Sequence, residues 1–585
     1  MAQVQTNNLY SNFSKQGPSV PISPNTAEPH QALKLANAAI SENNIAQAGK
    51  ILSDRILENA LEFTINNPDR TGLLVSMATS LCRINEFERA ENLCRKILQH
   101  TEKAVLYNKL GTILQYTGRL TEALEYQSKA MEMEPEQPEF RANMARILIE
   151  TGQIDEGIDL LRKAVRKMPN NAQVHSNLLF RMHHLPELDS QAILEEHLRW
   201  ALQHAPAERA RKSHPNKPDR DRKLRIGYIS PDFRTNSVAY FFESLLDSHD
   251  RTAFEVFGYG NVESPDQFTE YLIDKFDHYH NVFELCDSKL VELIETNRID
   301  ILVDLAGHTG NNRLTALSYK PAPVQITNLG YPDTTGMDAI DYRFTDSACE
   351  MPNSQQFYSE ELVILPEGFL CYKPPEFAPN VTAPPCEKNG FITFGSFNNN
   401  CKINPSLAHL WSSVLTGNPG SKLLLKIKGG QFPEIQKHYI GMFQSCGISP
   451  EKINIIGWKS LDEHLNMYSQ IDIALDSYPY HGTTTTCEAL WMGVPVITLV
   501  GGEHISRVGL SILRRIGLEF FATKTAQEFA AKATVLAQNR SSLAKIRSSM
   551  RGRIATSGLC HAKAFTRNIE RAYRQMWHIW CNSRS

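Results

Sequence analysis

Asp476 to Pro495 reads DSYPYHGTTTTCEALWMGVP, and it continues an apolar run, Ile471 to Leu475, whose length suits a buried strand. Pro479 and Gly482 break the run, and four threonines, Thr483 to Thr486, open the next segment. The pattern predicts a strand that ends in a turn and launches a helix. Such a helix start offers hydroxyls and free backbone amides where the macrodipole favours an anion, so the stretch suits a phosphate. Read alone, an ordinary threonine-capped helix accounts for it equally well.

Working outward, FITFGSF, KLLLKIKG, KINIIGW, IDIALDS and PVITLVG give five strand candidates with helical patterns between them. That alternation predicts a parallel sheet covered on both faces, with ligands gathering at the carboxyl ends of the strands. The loops at that edge are FNNNCKINPS, KIKGG, LDEHLNMYS and the threonine loop. Upstream, LRIGYIS, FEVFGYG and DILVDLAG alternate with the helical patterns AYFFESLLDS and KLVELIETNRI, and the loops to watch are SPDFRTNSVAY and GHTGNNR. KPAPVQITNLGYPDTTG then reads as a Pro- and Gly-punctuated path ending near Asp341. CYKPPEFAPNVTAPPCEKNG reads as an interdomain linker. Two consecutive doubly wound units imply a cleft between them. Neither upstream loop contains GxGxxG, so a dinucleotide cofactor is not indicated.

The first half differs. Residues 1–28 are rich in Asn, Ser, Gln and Pro without periodicity, which predicts a disordered tail. Amphipathic helices follow, and Gly118, Ala123, Ala130 and Pro135 recur as Gly152, Gly157, Ala164 and Pro169, each displaced by 34. That period, with a turn glycine and small residues where paired helices touch, resembles the tetratricopeptide repeat. A looser unit lies around Ala90, and Gln31 to Phe63 offers one more helix pair without signature residues. Stacked repeats of this kind bind extended peptides, or serve as a spacer or dimerisation arm. Residues 176–222 continue as a helical cap and linker. His175, His183, His184, His197 and His204, in and beside this segment, read as surface or packing residues. The charged run Ala210 to Lys223 marks the boundary. The divisions expected are therefore a tail (1–28), repeats (29–175), cap and linker (176–222), a first Rossmann-like unit (223–375) and a second (376–585).

With 585 residues, 42% hydrophobic and 21% charged, the chain is too long for one core and too apolar for disorder. A net charge of −3 gives no global field for nucleic acid or an anionic membrane. The eleven cysteines include no CxxC pair and read as reduced thiols of a cytoplasmic protein. The N-terminus lacks the apolar core of a signal peptide, and the longest apolar run is interrupted by Gly493 and Pro495, so no membrane segment is expected.

Taken together, SPDFR, DLAGHT, RLTALSYKPAPVQ, GYPDTTG, DYRFTD, FLCY, FITFGSFNN and GTTTTCEALWMGVP resemble glycosyltransferase family 41. These are protein O-glycosyltransferases that couple tetratricopeptide repeats to a two-domain GT-B fold, and the wording is most similar to their SPINDLY branch. The resemblance implies roles that residue chemistry supports. Departure of a nucleoside diphosphate leaves charge that preorganised cations and donors should meet. Lys402 matches the family's essential lysine, with Asn399 beside it where the animal enzyme carries glutamine. Thr484 and Thr485 would hold phosphate oxygens, Glu488 would accept from ribose hydroxyls, and His464 matches a base-stacking histidine. Lys426 and Lys428 would extend the positive rim. Across the cleft, His308, near Arg313, would face the acceptor and assist proton removal. Asn236 stands where related sequences commonly place histidine and cannot itself be a base at neutral pH. Asn328 stands where many have tryptophan.

The resemblance implies an inverting, metal-independent transferase that moves a single sugar to Ser or Thr of intracellular proteins. It would need no cofactor beyond its donor substrate, UDP-N-acetylglucosamine or GDP-fucose. Partners would be acceptor proteins held by the repeats, with a homodimer through the repeats also allowed, and neither nucleic acid nor membrane. Two other readings stay open: a repeat-based binding protein whose catalysis is impaired through Asn236, and a GT-B transferase acting on glycans or small molecules.

Overall fold

A computed structural model describes residues 28–41, 44–185 and 189–584. The tail expected over 1–28 lies almost wholly outside the described residues. The chain divides into two compact units after Thr101. In the first, the helix pair expected over 31–63 is three helices, Pro29–Ser41, Ile45–Ile51 and Asp54–Asn66, followed by Thr71–Arg83 and Phe87–Leu98.

The second unit opens with two helix pairs, Ala104–Tyr116 with Leu120–Met133 and Pro138–Glu150 with Ile154–Lys167. The sequence period has a direct steric basis here. Gly118 and Gly152 turn the chain at φ +81° and +86°, where a side chain is strained. A Cβ on Gly157 would come within 2.5 Å of Ile149 Cγ1 and 2.8 Å of the Ala145 carbonyl oxygen, so glycine sets how closely the paired helices approach. Ala123, Ala130 and Ala164 are fully buried at the equivalent contacts. Helices Ala172–Met182 and Ser190–His204 complete the helical part.

Two parallel sheets follow. The first holds β1 (Leu224–Ser230), β2 (Phe254–Gly260), β3 (His278–Asn281), β4 (Ile301–Asp304), β5 (Val324–Thr327), β6 (Tyr342–Thr345) and β7 (Glu361–Ile364), in the order 3-2-1-4-5-6-7. The second holds β8 (Thr393–Ser396), β9 (Lys422–Lys426), β10 (Ile453–Ile456), β11 (Ile473–Leu475), β12 (Val496–Leu499) and β13 (Ala522–Thr523), in the order 10-9-8-11-12-13. Both contain the doubly wound Rossmann order, and the chain is a region of helical repeats followed by a GT-B pair, as expected. The order reverses between β1 and β4 and between β8 and β11, and a crevice opens outside the strand ends at each reversal.

The path expected to be irregular up to Asp341 contains a strand, β5. Its Gln325 is fully buried and donates to the carbonyl oxygens of Leu317 and Ala339 at 2.9 and 2.8 Å, so a polar residue inside the core disguised the strand. Arg343 does the same in β6: it is 2% exposed and donates to the carbonyl oxygens of Asp333 and Tyr331. The final helix, Ala562–Asn582, returns to the first sheet, where Tyr573 meets Tyr228 at 3.0 Å and Glu570 accepts from His249 at 2.9 Å. The proline-rich linker is pinned, with Lys373 donating to Glu243 and Asp247 on the helix Ser237–Ser248. Among the described residues no helix is long and apolar enough to cross a membrane.

Candidate functional site

The turn after β11 is built on one carboxylate. Asp476 accepts from the amides of Ser477 and Gly482 at 2.9 and 2.8 Å, and its second oxygen accepts from Thr498. His481, fully buried, donates Nε2–H to the Leu499 carbonyl oxygen and accepts at Nδ1 from the Gly509 amide, so the ring is fixed and neutral. The helix Thr484–Trp491 starts from this platform. Thr485 donates its hydroxyl to Asn398 and Thr486 donates to the Gly482 carbonyl oxygen. Among the described residues the first amide of this helix with a backbone acceptor is that of Cys487, bonded to Thr483 at 3.1 Å. The amides of the first turn are therefore open to an anion.

Lys402 comes from the loop across the crevice, at the end of a short turn, Asn400–Lys402, capped by the Asn399 side chain. Its ammonium donates to the His481 carbonyl oxygen at 2.7 Å and lies 4.1 Å from the Tyr480 ring centroid. Desolvation pulls this ammonium down to about 8, against the opposing pull of nearby acidic groups. Asn399, Lys402, Thr484 and Thr485 share one cavity of about 290 Å³ with Val238, at the start of the helix Ser237–Ser248, and Tyr331, in the loop after β5. Four of the expected donor-side residues thus meet at the switch point of the second sheet.

Lys426, His464 and Glu488 form a connected trio instead of lining that cavity. The Lys426 ammonium donates to His464 Nδ1 at 2.9 Å, which leaves Nε2–H to donate to the Glu488 carboxylate at 2.9 Å. Burial pulls Lys426 down to about 8 as well. Glu488 is one turn beyond Thr484 on the same helix, so the trio and the cavity lie along one helix face.

Other expectations need correcting. His308 does not face an acceptor: it is fully buried, with Nε2 donating to the Thr335 carbonyl oxygen and Nδ1 accepting from Ser176, and burial holds its pKa well below the ordinary value. Arg313 is engaged by Asp287 and by the carbonyl oxygens of Val282 and Leu285. Lys428 is no part of a rim for the donor, because its ammonium pairs with Glu150 at the end of a repeat helix, at 3.3 Å. Asn236 caps the helix Ser237–Ser248, accepting from the Val238 amide at 2.9 Å and donating to Asp232 at 2.8 Å. Asn328 is buried, and its side-chain oxygen lacks a hydrogen-bond partner. Of the two alternatives for His175, His183, His184, His197 and His204, packing holds: all five are buried, and His183 and His197 both hydrogen-bond the Tyr331 hydroxyl, at 3.0 and 2.7 Å.

Sequence reasoning passed over His504, which lines the same cavity and is bonded to Glu350 across the two sheets at 2.8 Å. The signal was available, since GGEHISR follows strand β12 at the same edge that made the threonine loop of interest.

Comparison with known proteins places these features. Residues 162–377 and 387–569 match the family model for Glycosyl transferase family 41, and residues 116–178 match a Tetratricopeptide repeat model. The chain is 39% identical over 414 residues to a probable UDP-N-acetylglucosamine--peptide N-acetylglucosaminyltransferase SPINDLY of Hordeum vulgare, covering 70% of this chain and 44% of that protein. It is 38% identical over 410 residues to the SPINDLY of Arabidopsis thaliana, covering 69% and 45%. It thus spans less than half the length of the curated relatives it matches. Among solved structures, a point mutant of the O-GlcNAc transferase of Thermobaculum terrenum superposes with a TM-score of 0.85 at 33% identity, covering 90% of this chain and 99% of that one.

Proposed function

The chain belongs to glycosyltransferase family 41, and from that premise we propose that it moves a single sugar, N-acetylglucosamine or fucose, from a nucleotide donor to Ser or Thr hydroxyls of proteins. The observation that carries this reading is the meeting of the Lys402 ammonium with the open amides of the helix Thr484–Trp491 in one cavity between two doubly wound sheets. A cation and a helix N-terminus at one point suit a diphosphate that gains charge as the bond to the anomeric carbon breaks.

In this reading Lys402 neutralises the leaving group, with Asn399 shaping its turn and Thr484 and Thr485 holding phosphate oxygens. Glu488 receives the ribose, while His464, held by Lys426, packs against the base. No cofactor is assigned beyond the donor. Residues 223–375 serve the acceptor side, the second sheet unit the donor side, and the repeats present the acceptor protein or a second copy of the chain. The names of the SPINDLY relatives and the solved neighbour favour N-acetylglucosamine. A cytoplasmic setting belongs to the same reading, in keeping with eleven free cysteines.

The test is to incubate the purified chain with each labelled sugar nucleotide and a cell lysate, and follow the label. Label in protein supports the proposal, and label only in lipid or glycan redirects it to another acceptor. The capped Asn236 and enclosed His308 favour a second reading, a nucleotide-binding protein without catalysis. Nucleotide binding with no transfer from any donor would select it.

A further inference from the structure

Both imidazole positions expected to supply a base fail in this chain, one being asparagine and the other enclosed, yet the cavity contains a third imidazole. We propose that His504 is the general base that takes the proton from the acceptor hydroxyl, with Glu350 as its positioning residue. The assignment rests on the transferase reading above.

His504 sits in the loop after β12, in the short turn His504–Ser506. Its Nδ1 lies 2.8 Å from Glu350 Oε1, and Thr345 donates to the same oxygen at 2.7 Å. Burial works to raise the Glu350 carboxyl, but the hydrogen bonds from His504 and Thr345 and the charge of Arg343 act against it and hold the group below its ordinary value, so Glu350 is ionised at neutral pH. An ionised carboxylate can only accept, which fixes the proton of the neutral ring on Nδ1 and leaves Nε2 as a lone pair. The Phe369 ring packs edge-on against the imidazole at 4.9 Å and holds its plane. Among the described residues Nε2 has no hydrogen-bond partner, while the ring lines the cavity that contains Lys402 and Thr484. The other charged or titratable groups facing this pair are Arg343, which also lines the cavity, His183, which burial keeps neutral, Asp333, which burial pushes up to about 7, and Tyr358 and Cys349, both raised by burial.

A carboxylate that orients one ring nitrogen while the other faces the reacting groups is the arrangement by which an imidazole accepts a proton and is stabilised as it charges. The acceptor oxygen forms its bond to the anomeric carbon as its proton passes to His504 Nε2. The bond from that carbon to the diphosphate breaks on the opposite side, and its electron pair leaves with the nucleoside diphosphate beside Lys402. The competing carboxylate, Asp232, which burial pushes up to about 6, receives the Asn236 amide and does not line the cavity.

The test compares wild type, His504→Asn and Glu350→Gln for transfer to protein across pH, together with calorimetric binding of UDP and GDP and thermal melting. His504→Asn is expected to lower kcat by roughly 10²–10⁴-fold and to remove the acidic limb of the pH profile, with nucleotide affinity within about twofold. Glu350→Gln is expected to lower kcat less and shift that limb, a change that a merely structural contact would not produce. His504→Gln gives a second variant should the first melt early. A wild-type rate and an unchanged acidic limb in a folded His504 variant overturn the assignment. A wild-type chain that binds nucleotide but transfers no sugar overturns the transferase reading, and this assignment with it.

Discussion

Lys402 donates its ammonium to the carbonyl oxygen of His481 at 2.7 Å, which ties the loop after β8 to the turn that launches the threonine helix. The charge is thereby held at the helix start, and among the described residues it has no ion-pair partner to neutralise it. Lys402→Ala is expected to lower kcat/KM for the sugar nucleotide by roughly 10²–10³-fold, the scale of losing one preorganised group that meets transition-state charge. Because nearby acidic groups offset only part of the native ammonium's desolvation, the melting temperature should hold. Initial rates with labelled donor and a thermal melt measure both, and undiminished turnover would remove Lys402 from the leaving-group site.

The same desolvation makes activity pH-dependent on the basic side. Lys402 in the free protein loses its proton as pH rises through about 8, and kcat/KM reports free-enzyme groups. We expect kcat/KM to fall about tenfold per unit above that point. Lys426 titrates in the same window, so the limb should persist in Lys426→Met and vanish in Lys402→Arg, whose guanidinium stays charged. For stability the sign is opposite: the folded-state value lies below the ordinary 10.5, the unfolded chain binds the proton more tightly, and this group's contribution therefore rises with pH between about 8 and 10.5.

The trio gives a different kind of test. Glu488→Ala leaves the His464 Nε2–H without its acceptor in a buried setting, which costs about 1–3 kcal/mol of stability. If the carboxylate also receives the ribose, affinity for UDP or GDP should fall about tenfold while kcat at saturating donor changes little, the mark of uniform binding. Calorimetry with each nucleotide decides it. Unchanged affinity would place the ribose elsewhere.

What was legible in the sequence follows from how the information is stored. The threonine loop declares itself locally, because a strand, a turn and a helix start are all written in consecutive residues, and Lys402 and Asn399 are legible through the family resemblance of the segment that carries them. The repeat period is legible for the same reason, as Gly157 and Ala164 mark close helix contacts one unit after Ala123 and Ala130. Burial and partners across the fold are not written locally. His308 looks like a base in GHTGNNR and becomes a packing residue only because Ser176, 132 positions earlier, closes over it. Lys428 looks like a rim cation until Glu150 reaches it from the repeats. The bond between His504 and Glu350 spans 154 positions and joins two sheets, so nothing within either segment announces it.

Asn236→His separates the two accounts of the missing base. If this position should carry the imidazole, restoring it would raise kcat. The structure argues the reverse, because Asn236 already performs a task histidine does poorly: it caps the helix Ser237–Ser248 through the Val238 amide and anchors Asp232. Losing that cap costs about 1 kcal/mol. An imidazole at this position also faces Asp232 instead of the cavity. With His504 as the base, Asn236→His is expected to melt several degrees lower and to transfer sugar no faster than wild type. Initial rates at saturating donor, measured beside a melt, give the answer, and a several-fold rise in kcat would return the base to the loop after β1.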